Sequence, residues 1–464
     1  MKKLILLLFV FTGFTNFYAQ DITGQWNGVL KEMNLRLVVH ITKTEDGYSS
    51  TLDSPDQGAK GIPVAITTFE NNTLKLEAAN LGITYFGEFV DGTFNGTFMQ
   101  SGFKIPLILG REEVEKVNIN RPQEPKEPYP YYTEDVSFDN TKASIKLAGT
   151  LTLPKKEGKF PVVVLISGSG PQDRNEELLG HKPFLIISDY LTRNGIGVLR
   201  FDDRGVGKST GNFSTATSAD FATDIESAIS YLKSRKEIDV TKIGLVGHSE
   251  GGVIAPMVAA KSEDVSYIVL LAGTGIRGDK LLLLQQELIG RAMGMSEVQL
   301  QSSKELSTVV FEMIVSSTIT QDLKTDVKKY IAEEINKLSN EELPAGISKD
   351  EESINGQVDQ LTTPWMVYFM KHDPAKVLEN VSCPVLAING EKDLQVPPKE
   401  NLEAIRKALE KGGNTDISTQ ELPGLNHLFQ ESVTGAPSEY GTIEQTFAPE
   451  ALEVISSWIL KKVN

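Results

Sequence analysis

The sequence predicts an α/β protein built on a parallel sheet with a helical insertion, preceded by a small all-β domain. Three observations carry that prediction. Residues 21–115 alternate apolar and polar positions between Asp, Asn and Gly turns, residues 116–131 are dense in proline, and residues 132–464 alternate apolar strand runs with helical periodicity. A length of 464 residues with 40% apolar content allows two or three domains with sizeable cores.

Charge and cysteine content narrow the function. With 46 basic against 62 acidic side chains the formal net charge is −16, and no long Lys/Arg run occurs. A nucleic acid or an anionic membrane surface is therefore not an expected partner, because both attractions need clustered positive charge. Cys383 is the sole cysteine, which excludes an internal disulfide framework and any cysteine-cluster metal site. No metal and no cofactor is expected.

Residues 1–20 begin with Lys2-Lys3, run apolar from 4 to 17 and end in Tyr18-Ala19-Gln20. A basic start, a short apolar stretch and a small residue near its end describe a secretory signal, cleaved after Ala19 or Gln20. The expectation is an exported protein, periplasmic or secreted, with no integral membrane segment after cleavage. In 21–115 about eight short strands are expected, joined at Asp46-Gly47, Asn71-Asn72, Asp91-Gly92 and Asn95-Gly96, as a small antiparallel barrel or sandwich. Gly24-Gln25-Trp26 resembles the opening of lipocalin-like barrels, which would imply an apolar ligand cavity. The simpler reading makes Trp26 a core residue. Pro122, Pro125, Pro128 and Pro130 then fix the backbone of 116–131 as a semi-rigid extended linker.

In 132–464, near-continuous apolar runs at 162–166, 197–201, 243–246, 267–271 and 385–388 read as strands buried on both faces. Residues 218–235 place Phe221, Ile225, Ala228, Ile229 and Leu232 at helical spacing. The stretch 276–382 is too long for a simple crossover and has helical periodicity, so it reads as a helical cap.

The chemistry is concentrated at residues 242–252, where an apolar strand runs into Gly247-His248-Ser249-Glu250-Gly251 and a small-residue helix. Gly-x-Ser-x-Gly between strand and helix is the nucleophile-elbow pattern. Gly247 and Gly251 are expected to clear space around Ser249, whose hydroxyl then stands above the sheet at a helix N-terminus that favours negative charge. A serine needs a base, and the base needs an orienting acid. Of the five histidines, His40 lies in the β domain, His181 follows an early loop, His248 adjoins Ser249 and should point away from it, and His372 lies in the cap. His427, on a Gly/Pro-containing loop near the C-terminus, is left as the base. Asp393, just past the strand at 385–388, is the expected acid, with Glu391 in reserve. The oxyanion hole is expected from the backbone N–H of Glu250 and from the loop Ser167-Gly168-Ser169-Gly170-Pro171, with Ser169 or Gly170 as second donor.

Gly207-Lys208-Ser209 imitates the end of a phosphate-binding loop, but Asp202 stands where that loop requires glycine. Asp203 and Arg204 read instead as a structural ion pair or as a brace for the active-site loops.

Over residues 133–464 the chain resembles the α/β-hydrolase superfamily. The motifs at 247–252, 167–171 and 202–209 and the late Asn426-His427 make it similar to secreted bacterial carboxylesterases with a serine-aminopeptidase-like hydrolase domain. The order Ser249, Asp393, His427 is that of this superfamily. The resemblance implies an α/β-hydrolase fold with a helical cap and ester hydrolysis through an acyl-enzyme. Ser167 replaces the histidine of the common His-Gly oxyanion motif, which leaves the second donor open. Met293, Met295, Met313, Met366 and Met370, with Trp365, Tyr368 and Phe369, suit an adaptable acyl pocket or plain helix packing. The expected substrate is a short-to-medium acyl ester, with a serine peptidase of the same triad as the alternative and a binding protein with a decayed site as a third class. Oligomeric state is left open.

Overall fold

The computed structural model describes residues 21–464 except 32–34, 58, 79–82, 101–102, 116–119, 319, 340–341, 344–348 and 350. The secretory-signal reading of 1–20 and the start of the linker lie outside the described residues.

The first domain has nine described strands: β1 Gly24–Leu30, β2 Leu35–Thr44, β3 Gly47–Ser54, β4 Ala59–Val64, β5 Ile66–Glu70, β6 Thr73–Ala78, β7 Ile83–Val90, β8 Thr93–Gln100 and β9 Phe103–Leu109. They form antiparallel sheets ordered β1-β2-β3-β4 and β5-β6-β7-β8-β9. Asn27 and Gly110 exchange backbone hydrogen bonds at 2.7 and 2.9 Å and so tie β1 to the end of β9. β4 and β5 lie in different sheets, because the chain changes sheets at Ala65, whose N–H donates to the Glu77 carbonyl. One expectation is corrected. Asn95-Gly96 is not a turn but the middle of β8, where the Tyr85 ring crosses over Gly96. Trp26 is a core residue against Phe94, at 4.5 Å between ring centroids. Between the sheets, the gap lined by Leu37, Leu76, Tyr85 and Phe98 amounts to about 20 Å³, the space of a single water rather than a lipocalin-type ligand chamber.

The second domain adds β10 Tyr132–Asn140, β11 Ile145–Leu153, β12 Phe160–Ile166, α1 Pro183–Arg193, β13 Gly197–Phe201, α2 Ser218–Lys233, β14 Ile238–His248, α3 Gly251–Ala259 and β15 Tyr267–Leu271. The cap follows as α4 Gly278–Ala292, α5 Glu297–Ser316, α6 Thr320–Lys337, α7 Glu351–Leu361, α8 Pro364–Lys371 and α9 Pro374–Leu378. The chain closes with β16 Val385–Gly390, α10 Pro398–Lys411, β17 Ile417–Leu422 and α11 Pro449–Val463. Sheet order is β10-β11-β13-β12-β14-β15-β16-β17, parallel from β13 onward and antiparallel at β10 and β11. Alternate residues of the parallel strands serve the two faces. Val164, Leu245, Leu270 and Ala387 pack under α2, α3 and α10, while Val163, Val246, Val269 and Leu386 pack under α1 and α11. Burial on both faces is why these strands are apolar without alternation. Among the described residues no helix is long and apolar enough to cross a membrane.

Candidate active site

In the sheet β12 lies between β13 and β14. The chain thus leaves β12 to one side and returns on the other, and a crevice opens where loops depart in opposite directions from the carboxyl ends of these strands. Two segments meet there: the turn from β14 into α3 and the loop 167–172 after β12.

Ser249 occupies that turn at φ +51°, a left-handed conformation in which a non-glycine residue is strained. Its N–H donates to the Leu271 carbonyl at 2.8 Å, and its own carbonyl accepts from Gly252 at 2.9 Å. The glycines at either side act differently from the expectation. A Cβ on Gly247 would run into the Gly251 backbone, and one on Gly251 into the Ile166 carbonyl. They therefore allow backbone to cross backbone, which lets the turn close against β12.

Asp393 and His427 are brought together. Asp393 Oδ2 lies 2.8 Å from His427 Nδ1, and Asp393 Oδ1 accepts from the N–H groups of Gln395 and Val396, each at 2.8 Å. Both side chains are buried. Glu391, the reserve, is engaged elsewhere: its Oε2 accepts from Gly424 N–H at 2.8 Å. The His427 loop and the Ser249 turn adjoin, with the His248 and His427 ring centroids 4.9 Å apart. No hydrogen bond joins Ser249 Oγ to His427 among the described residues.

The loop 167–172 is held at both ends by Asp203. Asp203 Oδ1 accepts from Ser167 Oγ at 2.7 Å and Oδ2 from Gln172 N–H at 3.0 Å, while Asp203 N–H donates to the Gln172 carbonyl at 3.0 Å. Asp203 is thus a brace and not an ion-pair partner of Arg204, which instead grips Asp224 on α2 at 2.8 and 2.9 Å. A Cβ on Gly168 would lie 3.3 Å from Ser249 Cβ, so the loop rests directly on the serine. Gly168 N–H is taken by Glu176 Oε1 at 2.7 Å. The N–H groups of Ser169, Gly170 and Glu250 have no acceptor among the described residues. The Glu250 side chain points away into the protein, where Oε1 accepts from Ser218 Oγ at 2.6 Å and from the cap residue Trp365 Nε1 at 2.8 Å. Burial raises this carboxyl above the ordinary glutamate range against the pull of those two donors.

Of the cap residues, Met313, Met366 and Met370 pack within the cap's own core, whereas Trp365 and Phe369 stack at 5.3 Å and face Leu281 and Val396. Two participants were missed from sequence: Trp365 as a partner of Glu250, and Glu176. The available signal for Glu176 was the polar run Gln172-Asp173-Arg174-Asn175-Glu176 directly after the glycine loop.

A parallel sheet with this crossing, a serine on a left-handed turn at its carboxyl edge and a buried Asp–His couple beside it define an α/β hydrolase. A family model described as serine aminopeptidase, S33, matches residues 184–431, more than half of the chain, and the chain belongs to that family. It is 25% identical over 337 residues to Esterase EstD of Thermotoga maritima, covering 72% of this chain and 70% of that one. Over 277 residues it is 26% identical to an uncharacterized 31.7 kDa protein of Escherichia coli, covering 58% of this chain and 85% of the relative. Among solved structures, an esterase of Pyrococcus furiosus aligns with a TM-score of 0.43 at 15% identity, over 75% of this chain and 98% of that one.

Proposed function

We propose that this protein is a serine carboxylic-ester hydrolase working through an acyl-enzyme. Ser249 Oγ attacks the ester carbonyl as His427 takes its proton, and Asp393 holds the imidazole and offsets its charge. The N–H groups of Glu250 and Ser169, with Gly170 beside them, receive the developing oxyanion. His427 then passes its proton to the departing alcohol. In the second half His427 deprotonates a water that attacks the acyl-enzyme, and the proton returns to Ser249 as the acid leaves. The observation that carries this reading is the buried 2.8 Å Asp393–His427 bond beside a serine at φ +51°. The Ser249–His427 bond forms as substrate binds, since catalytic hydrogen bonds commonly tighten in the Michaelis complex.

Similarity to a named esterase over most of both chains favours esters, and short-to-medium acyl groups are the proposed substrates. The family description supports a serine aminopeptidase as the second reading. A panel of p-nitrophenyl acyl esters and aminoacyl anilides, with Ser249→Ala as the blank, separates the two. We expect ester turnover to exceed anilide turnover and Ser249→Ala to lose about 10⁶-fold in kcat. Faster anilide cleavage would transfer the assignment to the peptidase, and an active Ser249→Ala would end both.

A further inference from the structure

We propose that Glu176 is a positioning residue of this active site, one that fixes the oxyanion-side loop and the His427 loop against the nucleophile turn through Gly168 and His248. The proposal rests on the serine-hydrolase reading above. Glu176 Oε1 accepts from Gly168 N–H at 2.7 Å and lies 2.9 Å from His248 Nδ1. On the far side of the ring, His248 Nε2 lies 3.1 Å from the backbone carbonyl of His427. Each partner is the catalytic residue itself or its neighbour in the chain: Gly168 precedes Ser169, His248 precedes Ser249, and the carbonyl belongs to His427. One carboxylate therefore sets the relative placement of three segments that are remote in sequence.

A carbonyl can only accept, so Nε2 carries a proton. A Glu176 carboxylate accepts from both Gly168 N–H and Nδ1, which makes His248 an imidazolium, whereas a Glu176 carboxylic acid would donate to a bare Nδ1. The imidazolium–carboxylate form is the one proposed. Burial opposes this charge, yet the Glu176 charge and hydrogen bond, the His427 carbonyl and more distant Asp393 raise its pKa above the ordinary histidine value. A buried ion pair is poor value as a stabiliser compared with packed apolar side chains, whereas its directional bonds fix geometry.

Glu176 is itself held in place. It sits at φ +51°, and such strain persists only where the surroundings over-determine it. Arg174 clasps Asp202 at 2.9 and 2.8 Å, Asn175 bonds the buried Arg200 guanidinium, and Glu176 N–H donates to Asp173 at 2.9 Å.

The test uses Glu176→Gln, which keeps an acceptor for Gly168 N–H but removes the charge, and Glu176→Ala, which removes both. Expected are a kcat lowered about tenfold in the first and about a hundredfold in the second, with KM within about twofold. Imidazole ¹H–¹⁵N spectra, assigned with His248→Asn, should show His248 doubly protonated at pH 7 in the wild type and singly protonated in Glu176→Gln. Fluorophosphonate should still label Ser249 in Glu176→Gln, more slowly. A folded Glu176→Gln with unchanged kcat, or a wild-type His248 bearing one ring proton at pH 7, would overturn the proposal. If Glu176→Ala does not fold, the Gln variant and the wild-type spectrum decide. Absence of fluorophosphonate labelling in the wild type would instead count against the hydrolase reading, and the spectrum would still judge the Glu176–His248 pair.

Discussion

The Asp203 carboxyl is partly buried between Ser167 and Gln172. Burial drives its pKa up to about 8; the two hydrogen bonds pull the other way, and the nearby Glu250 and Glu176 charges add to the rise. Because the folded-state value lies above the ordinary 3.8, the folded chain binds a proton that the unfolded chain has lost between those two values. The associated stability is complete below about pH 3.8 and is lost as pH rises through about 8. Asp203→Asn keeps an acceptor for Gln172 and offers an amide donor to Ser167 Oγ, yet cannot titrate. Its Tm relative to wild type should therefore climb from pH 5 to pH 9 in calorimetry, and a pH-independent difference would refute the assignment. At this scale the sequence was readable where chemistry is local. Ser249 announces itself by its neighbours, and Asp393 by its place after a strand. Glu176 does not, because its partner His248 is 72 residues away and only the folded chain shows the contact.

At the scale of the element, legibility followed burial. The strands from β12 to β16 are apolar on both faces and stood out, whereas β10 alternates exposed and partly buried positions at the sheet edge and gave no comparable run. Helix α3 owes its position to small residues that let it close on β12, and α8 to an aromatic contact reaching down from the cap. That contact is Trp365 Nε1 donating to Glu250 Oε1 at 2.8 Å, with Trp365 stacked on Phe369. Glu250 is only 3% exposed, so a donor lost there is not replaced by water. Trp365→Phe retains a ring to stack on Phe369 and removes the N–H. Chemical denaturation should show a loss of about 1–3 kcal/mol, the penalty for leaving a buried acceptor short of a partner. A loss below about 0.5 kcal/mol would show that Ser218 alone satisfies Glu250 and that the cap is not anchored through this bond.

For the whole molecule, the linker is more than a spacer. Its proline content announced an extended segment, but the contacts that matter join it to residues between 58 and 324 positions away, which no local pattern encodes. Arg121 donates to the carbonyls of Leu179 and Gly180 at 3.3 and 3.4 Å on one side and to those of Gly441 and Ile443 on the other. Gln123 accepts from Thr446 and Phe447 N–H at 2.7 and 3.1 Å and donates back to the Phe447 carbonyl at 2.6 Å. Phe447 in turn stacks at 5.3 Å on Phe429, two residues past His427, and Leu179 packs against the core of the β domain. The first domain and its linker therefore grip the loop that carries Glu176 and the loop that carries His427 together. Arg121→Ala combined with Gln123→Ala severs that grip without altering Ser249, Asp393 or His427. Hydrogen exchange should rise at 179–181 and 441–447, and kcat should fall several-fold while exchange in β12 to β16 stays protected, because local opening draws on few core contacts. Unchanged exchange at both loops would mean that each is held from within the hydrolase domain, and that the linker merely rests on them.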